Sequence, residues 1–258
     1  MMKAKRESDI LNFIIQNGAT SYETICNRFD ISMSTARRDI DHLVAQKYIQ
    51  KVYGGVVPLE YTSLSKDSDL SGSITGSKKS NFSERLDHIG KLAASHVNDG
   101  DIIYIGSGTT VPHMLPYLKG LPHLTIVTNN ILVAASDMQY SNEIILMGGR
   151  INYHSKSTVG VSLVEDLARM SIHKTFVSCN GLTLKKGFSN LEDDETYIKK
   201  AAFRSSEKTY MLLDSSKFDK VSLYAFASFD DVDGIITDKR PDESYIAACE
   251  QNGVLLQY

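Results

Sequence analysis

A chain of 258 residues admits one or two domains, and 42% hydrophobic with 23% charged residues is the balance of a globular protein with a real core. No run is long and apolar enough to span a bilayer, and Cys26, Cys179 and Cys249 are too few and too scattered for a disulfide framework or a zinc spacing, so a cytoplasmic protein with buried thiols is expected. The net charge of −3 is uneven: residues 1–58 hold eight Lys/Arg against six Asp/Glu and the remainder 20 against 25, which points to an anionic partner at the basic front.

In chain order, "SDILNFIIQNG" sets Ile10, Phe13 and Ile14 on one helical face and stops at Gly18. "SYETICNRF" repeats the pattern with Tyr22, Ile25, Cys26 and Phe29, with Ser21 as N-cap. After a tight turn at Asp30-Ile31, Ser32 caps a third helix, "MSTARRDIDHLVAQK". Its Met33, Ala36, Ile40 and Leu43 are expected inward. Ser34, Thr35, Arg37, Arg38 and His42 lie on the other faces. "YIQKVYGGVVPL" then reads as a β-hairpin about Gly54-Gly55. Three short helices with a tight turn and a hairpin predict a winged helix-turn-helix over residues 1–58. Its hydroxyls and arginines would reach bases and phosphates, and Lys51 would hold a phosphate from the wing. A helical protein-interaction module with a solvated Arg-Arg face is the alternative.

Residues 59–80 are dominated by Ser and Gly, with sparse apolar positions, and predict a linker. From 81 to 258, strands at "DIIYIG", "LTIVT", "EIILMG", "KTFVSC", "KTYMLLD" and "GIITD" alternate with helical patterns, and "GVLLQY" offers a last strand. Near-continuous Ile/Val/Leu runs are expected to be buried on both faces. Alternation with helices predicts a mostly parallel α/β sheet.

Ligands of such sheets sit beyond the carboxyl ends of the strands. Those ends are small and polar here: Gly106, Ser107, Gly108, Thr109 and Thr110; Thr128, Asn129 and Asn130; Gly148, Gly149 and Arg150; Asn180 and Gly181; Asp214 with Lys217. Glycines let a backbone approach an anion, and Thr109 and Thr110 add hydroxyls, so the first loop is a candidate phosphate cradle. Glu195 and Lys199, four apart on a helical pattern, fit either a surface ion pair or a sugar pocket. Asp214 fits the pocket or a turn that caps its own backbone. Tyr153 and His154 are expected in a solvated loop. The histidines show no metal-ligand spacing, and no cofactor or metal is implied.

The segments "ISMSTARRDIDHL", "VYGGVV", "FSERLDHIGKLAA", "GSGTT", "VTNN", "MGGR", "TVG", "NGL" and "LLDSSKF" stand in an order that resembles the DeoR family of bacterial sugar-metabolism regulators. The resemblance implies a winged helix-turn-helix joined to a sensor domain similar in fold to ribose-phosphate isomerases and CoA transferases. It implies operator DNA, a phosphorylated sugar and a homo-oligomer as partners. By position it puts Ser34, Thr35, Arg37 and Arg38 in the recognition helix. It puts Gly106 to Thr110, Asn129, Gly148, Gly149, Asn180, Glu195, Lys199, Asp214 and Lys217 around the effector. The family often has Asp where this chain has Gly106 and usually has Asp where it has Asn180, and the stretch "INYHSKSTVG" departs from the common Arg-bearing counterpart. The expectation is a repressor of a carbohydrate operon and not an enzyme, since Asn180 cannot shuttle a proton and Gly106 has no side chain. A sugar-phosphate isomerase-like enzyme with a fused DNA-binding module is the alternative.

Overall fold

A computed structural model describes residues 6–7, 9–11, 13–14, 20–45, 48–52, 55–58, 81–137, 142–153 and 155–258. The Ser/Gly stretch 59–80, Gly18, Gly54 and His154 lie outside them. The chain divides into two compact units, Met1–Ser73 and Ile74–Tyr258.

In the first unit, residues 9–11 and 13–14 are helical, with Ile10 and Ile14 buried. Strand β1 (Thr20–Ser21) leads into α1 (Tyr22–Phe29), whose first turn is capped by Ser21 Oγ accepting from the Thr24 N–H at 3.1 Å. Asp30, left-handed at φ 49°, ends it. Helix α2 (Met33–Ala45) starts where Ser32 Oγ accepts from the Thr35 N–H at 3.3 Å. Two expectations change. Met33 is 37% exposed, leaving Ala36, Ile40 and Leu43 to pack on Ile25. Asp39 takes a buried place instead, because Arg6 reaches across with Nε at 2.6 Å and Nη2 at 3.2 Å. The wing is β2 (Ile49–Val52) antiparallel to β3 (Gly55–Pro58). Strand β1 pairs with β3 as well, a two-residue addition too short to leave a periodic signal. A Cβ at Gly55 would lie 2.4 Å from the Thr20 carbonyl oxygen, so this contact requires glycine.

The second unit opens with α3 (Asn81–Ala94) and alternates thereafter. Its strands are β4 (Ile102–Ile105), β5 (Thr125–Thr128), β6 (Glu143–Leu146), the hairpin β7 (Arg150–Asn152) and β8 (Ser157–Val159), and β9 (Ile172–Val177). There follow β10 (Gly181–Thr183), β11 (Gly187–Asn190), β12 (Ser206–Leu212), β13 (Tyr224–Ala227), β14 (Gly234–Ile236) and β15 (Leu255–Gln257). The helices between are α4 (Leu115–Leu118), preceded by a 3-10 turn at Val111–Met114, then α5 (Ile131–Ala134), α6 (Val161–Leu167), α7 (Asp193–Arg204) and α8 (Glu243–Asn252).

Among the described residues, seven strands form one sheet in the order β15-β14-β12-β9-β4-β5-β6, every neighbouring pair parallel. Successive residues of β4 face opposite sides: Ile103 and Ile105 pack in one core and Tyr104 in the other. Strand β6 is the correction to burial on both faces. It is an edge, with Ile145 36% and Leu146 46% exposed. The chain runs β4, β5, β6 one way and then β9, β12, β14, β15 the other. The order therefore reverses between β4 and β9, where an open parallel sheet leaves a crevice. The β7–β8 hairpin and the antiparallel sheet β10-β11-β13 follow strand ends and were not foreseen.

Candidate functional site

The exposed side of α2 carries the groups expected to meet DNA. Arg37 and Arg38 are exposed and have no carboxylate partner among the described residues. The hydroxyls of Ser34 and Thr35 each lie 2.9 Å from Ser32 Oγ, at the helix start. His42 sits in the last turn, with Nδ1 3.1 Å from Glu7 Oε2. Lys51 on the wing holds Asp41 Oδ1 at 2.5 Å, and that hydrogen bond raises its pKa. A phosphate at Lys51 must therefore displace a carboxylate of the same unit.

The second cluster lies beyond the carboxyl ends of β12, β9, β4 and β5, four adjacent strands. After β4, the Gly106 N–H is engaged by the Phe176 carbonyl at 3.0 Å. The N–H groups of Ser107, Gly108, Thr109 and Thr110 donate to no described acceptor, and neither do the hydroxyls of Ser107, Thr109 and Thr110. Gly108, at φ +103°, turns the loop through a conformation that side chains resist. A Cβ at Gly106 would meet Val177 Cγ1 at 2.8 Å, so an aspartate there requires the Val177 side chain to shift.

Some of the expected contacts are turned inward. Asn130 Nδ2 donates to the carbonyls of Gly106 (3.0 Å) and Gly108 (2.8 Å), and its Oδ1 caps α5 at the Leu132 N–H. Thr128 Oγ1 donates to the Ile105 carbonyl and accepts from the Asn130 N–H. Asn129 joins the Tyr104 hydroxyl (2.7 Å) to the Thr158 carbonyl (2.9 Å). These three shape the loop through buried bonds. Gly149, at φ +147°, lets the chain entering β7 close on Val159, and the exposed Arg150 pairs with Asp194 at 2.7 Å. Tyr153 is 85% exposed.

Glu195 and Lys199 are a buried pair, not a surface one. Lys199 Nζ lies 3.5 Å from Glu195 Oε2 and 5.3 Å from the Phe226 ring centroid. Asn190, a residue the sequence did not single out, donates Nδ2 to the same carboxylate oxygen at 2.9 Å. Its own Oδ1 is buried with no hydrogen-bond partner among the described residues. Burial lifts the Tyr104 phenol far above its ordinary pKa, and the charge of Glu195 adds to this, so pair and loop share one neighbourhood. Asn180 is exposed and accepts from the Leu191 N–H at 3.0 Å, and Gly181 is held against the Lys220 carbonyl.

Asp214 caps the turn after β12 through the Ser216 N–H at 2.9 Å and faces Arg85 Nη2 at 3.5 Å. Arg85 Nε also reaches Asp238, whose side chain is fully buried, at 2.5 Å. Lys217, half-buried on the same turn, has no carboxylate or other acceptor among the described residues. Burial pushes the Cys179 thiol up to about 11, while Lys199 and Lys217 pull the other way, so both ammonium groups lie close to the end of β9. Burial likewise raises Cys249 to about 11. At pH 8 roughly one such thiol in a thousand is ionised. Native protein is therefore expected to leave both unmodified by iodoacetamide over a time that modifies both in urea. Cys26 is only half-buried, a departure from three buried thiols. No group of three or more metal-ligating side chains occurs among the described residues, and no helix there is long and apolar enough to cross a membrane.

A family model described as the DeoR-like helix-turn-helix domain matches residues 6–62, and one described as the DeoR C terminal sensor domain matches residues 82–239. The HTH-type transcriptional regulator IolR of Bacillus subtilis (strain 168) is 31% identical over 98% of both chains. The lactose phosphotransferase system repressor of Lactococcus lactis subsp. lactis is 30% identical over 100% of this chain and 99% of its own. These relatives are transcriptional regulators, not enzymes. Among solved structures, ribose 5-phosphate isomerase A of Methanocaldococcus jannaschii is similar over 52% of this chain and 53% of its own, at 15% identity and a TM-score of 0.37.

Proposed function

This chain belongs to the DeoR family of transcriptional regulators, and from that premise we propose that it represses a carbohydrate-metabolism operon under the control of a phosphorylated sugar. Residues 1–58 grip the operator, 59–80 link, and 81–258 sense. One observation supports the effector: where the strand order reverses, four consecutive amides and three hydroxyls after β4 have no partners among the described residues, and Lys217 after β12 has none among them either. Such a set is electrically suited to a phosphate, and the neighbouring Asn190, Glu195 and Lys199 to hydroxyls. The relatives' names, one a lactose phosphotransferase system repressor, agree with a sugar signal.

Helix α3, the first element after the linker, touches both halves of this rim. Arg85 joins it to the turn that carries Lys217. Gly90 brings it so close to the 3-10 turn after the Ser107–Thr110 loop that a Cβ would lie 2.2 Å from the His113 carbonyl oxygen. A ligand that binds the two loops differently in two states of the protein shifts α3 between them, and with it the operator affinity. Leu191, Val221 and Leu223, 52%, 65% and 69% exposed, supply an apolar surface suited to a homo-oligomer on a repeated or palindromic operator.

The test is a gel shift on the DNA upstream of the gene, titrated with ribose 5-phosphate, glucose 6-phosphate and fructose 1-phosphate, with light scattering for subunit number. One sugar phosphate is expected to change operator affinity at least about fivefold, the lower end of ordinary allosteric coupling. Affinity indifferent to every sugar phosphate would end the effector assignment and leave the DNA-binding one standing.

A further inference from the structure

Asn190 ends β11, and no part of it is exposed to solvent. Its amide orientation is set by its neighbour. Nδ2 donates to Glu195 Oε2 at 2.9 Å, and turning the amide over would press its oxygen against a carboxylate. Oδ1 is thereby left as a buried acceptor without a donor among the described residues. The Tyr104 hydroxyl is held by Asn129 at 2.7 Å and the Leu191 N–H by Asn180 at 3.0 Å, so neither serves it. Buried acceptors are rarely left this way, and their exceptions ask for a partner from outside the chain.

Resting on the effector reading above, we propose that Asn190 is a specificity-determining residue, whose amide oxygen accepts a hydrogen bond from one hydroxyl of a polyol phosphate. A phosphate is the wrong partner, since it brings acceptors to an acceptor beside the negative Glu195. A hydroxyl is the right one, because it donates to Asn190 while accepting from Lys199, whose ammonium lies 3.5 Å from the same carboxylate. The phosphate of the same molecule falls to Lys217 and the amides of Ser107 to Thr110. Because Asn190 is closed to solvent, the hydroxyl reaches it only as the rim opens. Binding and conformational change are then one event. A site built around a buried acceptor rejects a ligand that lacks the matching hydroxyl, since the acceptor stays unpaired.

The experiment is calorimetry on the full chain with ribose 5-phosphate and its 2- and 3-deoxy analogues, glucose 6-phosphate and its 2-, 3- and 4-deoxy analogues, and inorganic phosphate. The parent is expected to bind one polyol phosphate at least 100-fold tighter than one of its deoxy analogues. Asn190→Leu is expected to shrink that ratio below tenfold while changing affinity for inorganic phosphate less than threefold. Asn190→Gln, which keeps both an amide donor for Glu195 and an amide oxygen as acceptor, is expected to retain more of the ratio than Asn190→Leu. A parental ratio in Asn190→Leu, or equal loss of the ratio in both variants, overturns the proposal and leaves the effector reading intact. Absence of heat from every sugar phosphate with the parent overturns both.

Discussion

Arg85→Ala is expected to destabilise the second unit by about 3–5 kcal/mol, the usual cost of leaving buried carboxylates without their cation. The guanidinium reaches Asp238, whose side chain is fully buried, and Asp214, whose side chain is 3% exposed. Asp238 also accepts from the Ser215 N–H at 2.5 Å, so both carboxylates hold the turn that presents Lys217. Arg85→Lys should recover part of the loss, because one ammonium cannot fork to two acids. Asp238→Asn placed on Arg85→Ala should recover part of it too, since a neutral amide needs no cation. Urea unfolding of the four proteins measures this. A midpoint for Arg85→Ala equal to the parent's would show that the clamp carries no stability. The same clamp ties α3 to the turn of the proposed effector rim. Arg85→Lys should therefore keep sugar-phosphate binding and lose much of the operator response to it.

The other large effect is on DNA. Arg37→Ala and Arg38→Ala should each weaken operator binding about 10- to 100-fold if the side chain reads a base edge. An arginine that meets a phosphate should instead lower affinity on every sequence and reduce the slope of log affinity against log salt by about one. The two arginines are exposed on α2 and already free of carboxylates among the described residues, so no internal contact is lost and the fold should be unchanged. Lys51→Ala should cost less, because its ammonium starts on Asp41 at 2.5 Å and must leave it for a phosphate. Asp41→Ala should then tighten binding. Arginine variants that bind at parental affinity and with the parental salt slope would remove α2 as the reading helix.

Local signals exposed much of this. Ser21 and Ser32 announce their helices because a cap acts within three residues. The parallel strands announce themselves because burial on two faces leaves an uninterrupted apolar run. The same logic misleads at β6, an apolar run on an edge, and on α2, where Met33 keeps helical phase but is 37% exposed while Asp39, paired with Arg6, is buried. The β10-β11-β13 sheet left no trace, since "GLT" and "GFSN" are too short to show a period.

The order of strands along the chain, the small polar loops at their ends and the bare arginines of α2 are written in neighbouring residues. From these follow the two units and the class of chemistry. The direction in which the sheet doubles back, the pairing of Arg85 with acids 129 and 153 positions away, and the orphaned oxygen of Asn190 are not written there. Each depends on the tertiary fold: Arg85 meets acids distant in the chain, and Asn190 keeps an unpaired oxygen where packing has closed it to water. There a hydrogen bond made or missing outweighs local preference, because no solvent is present to replace it.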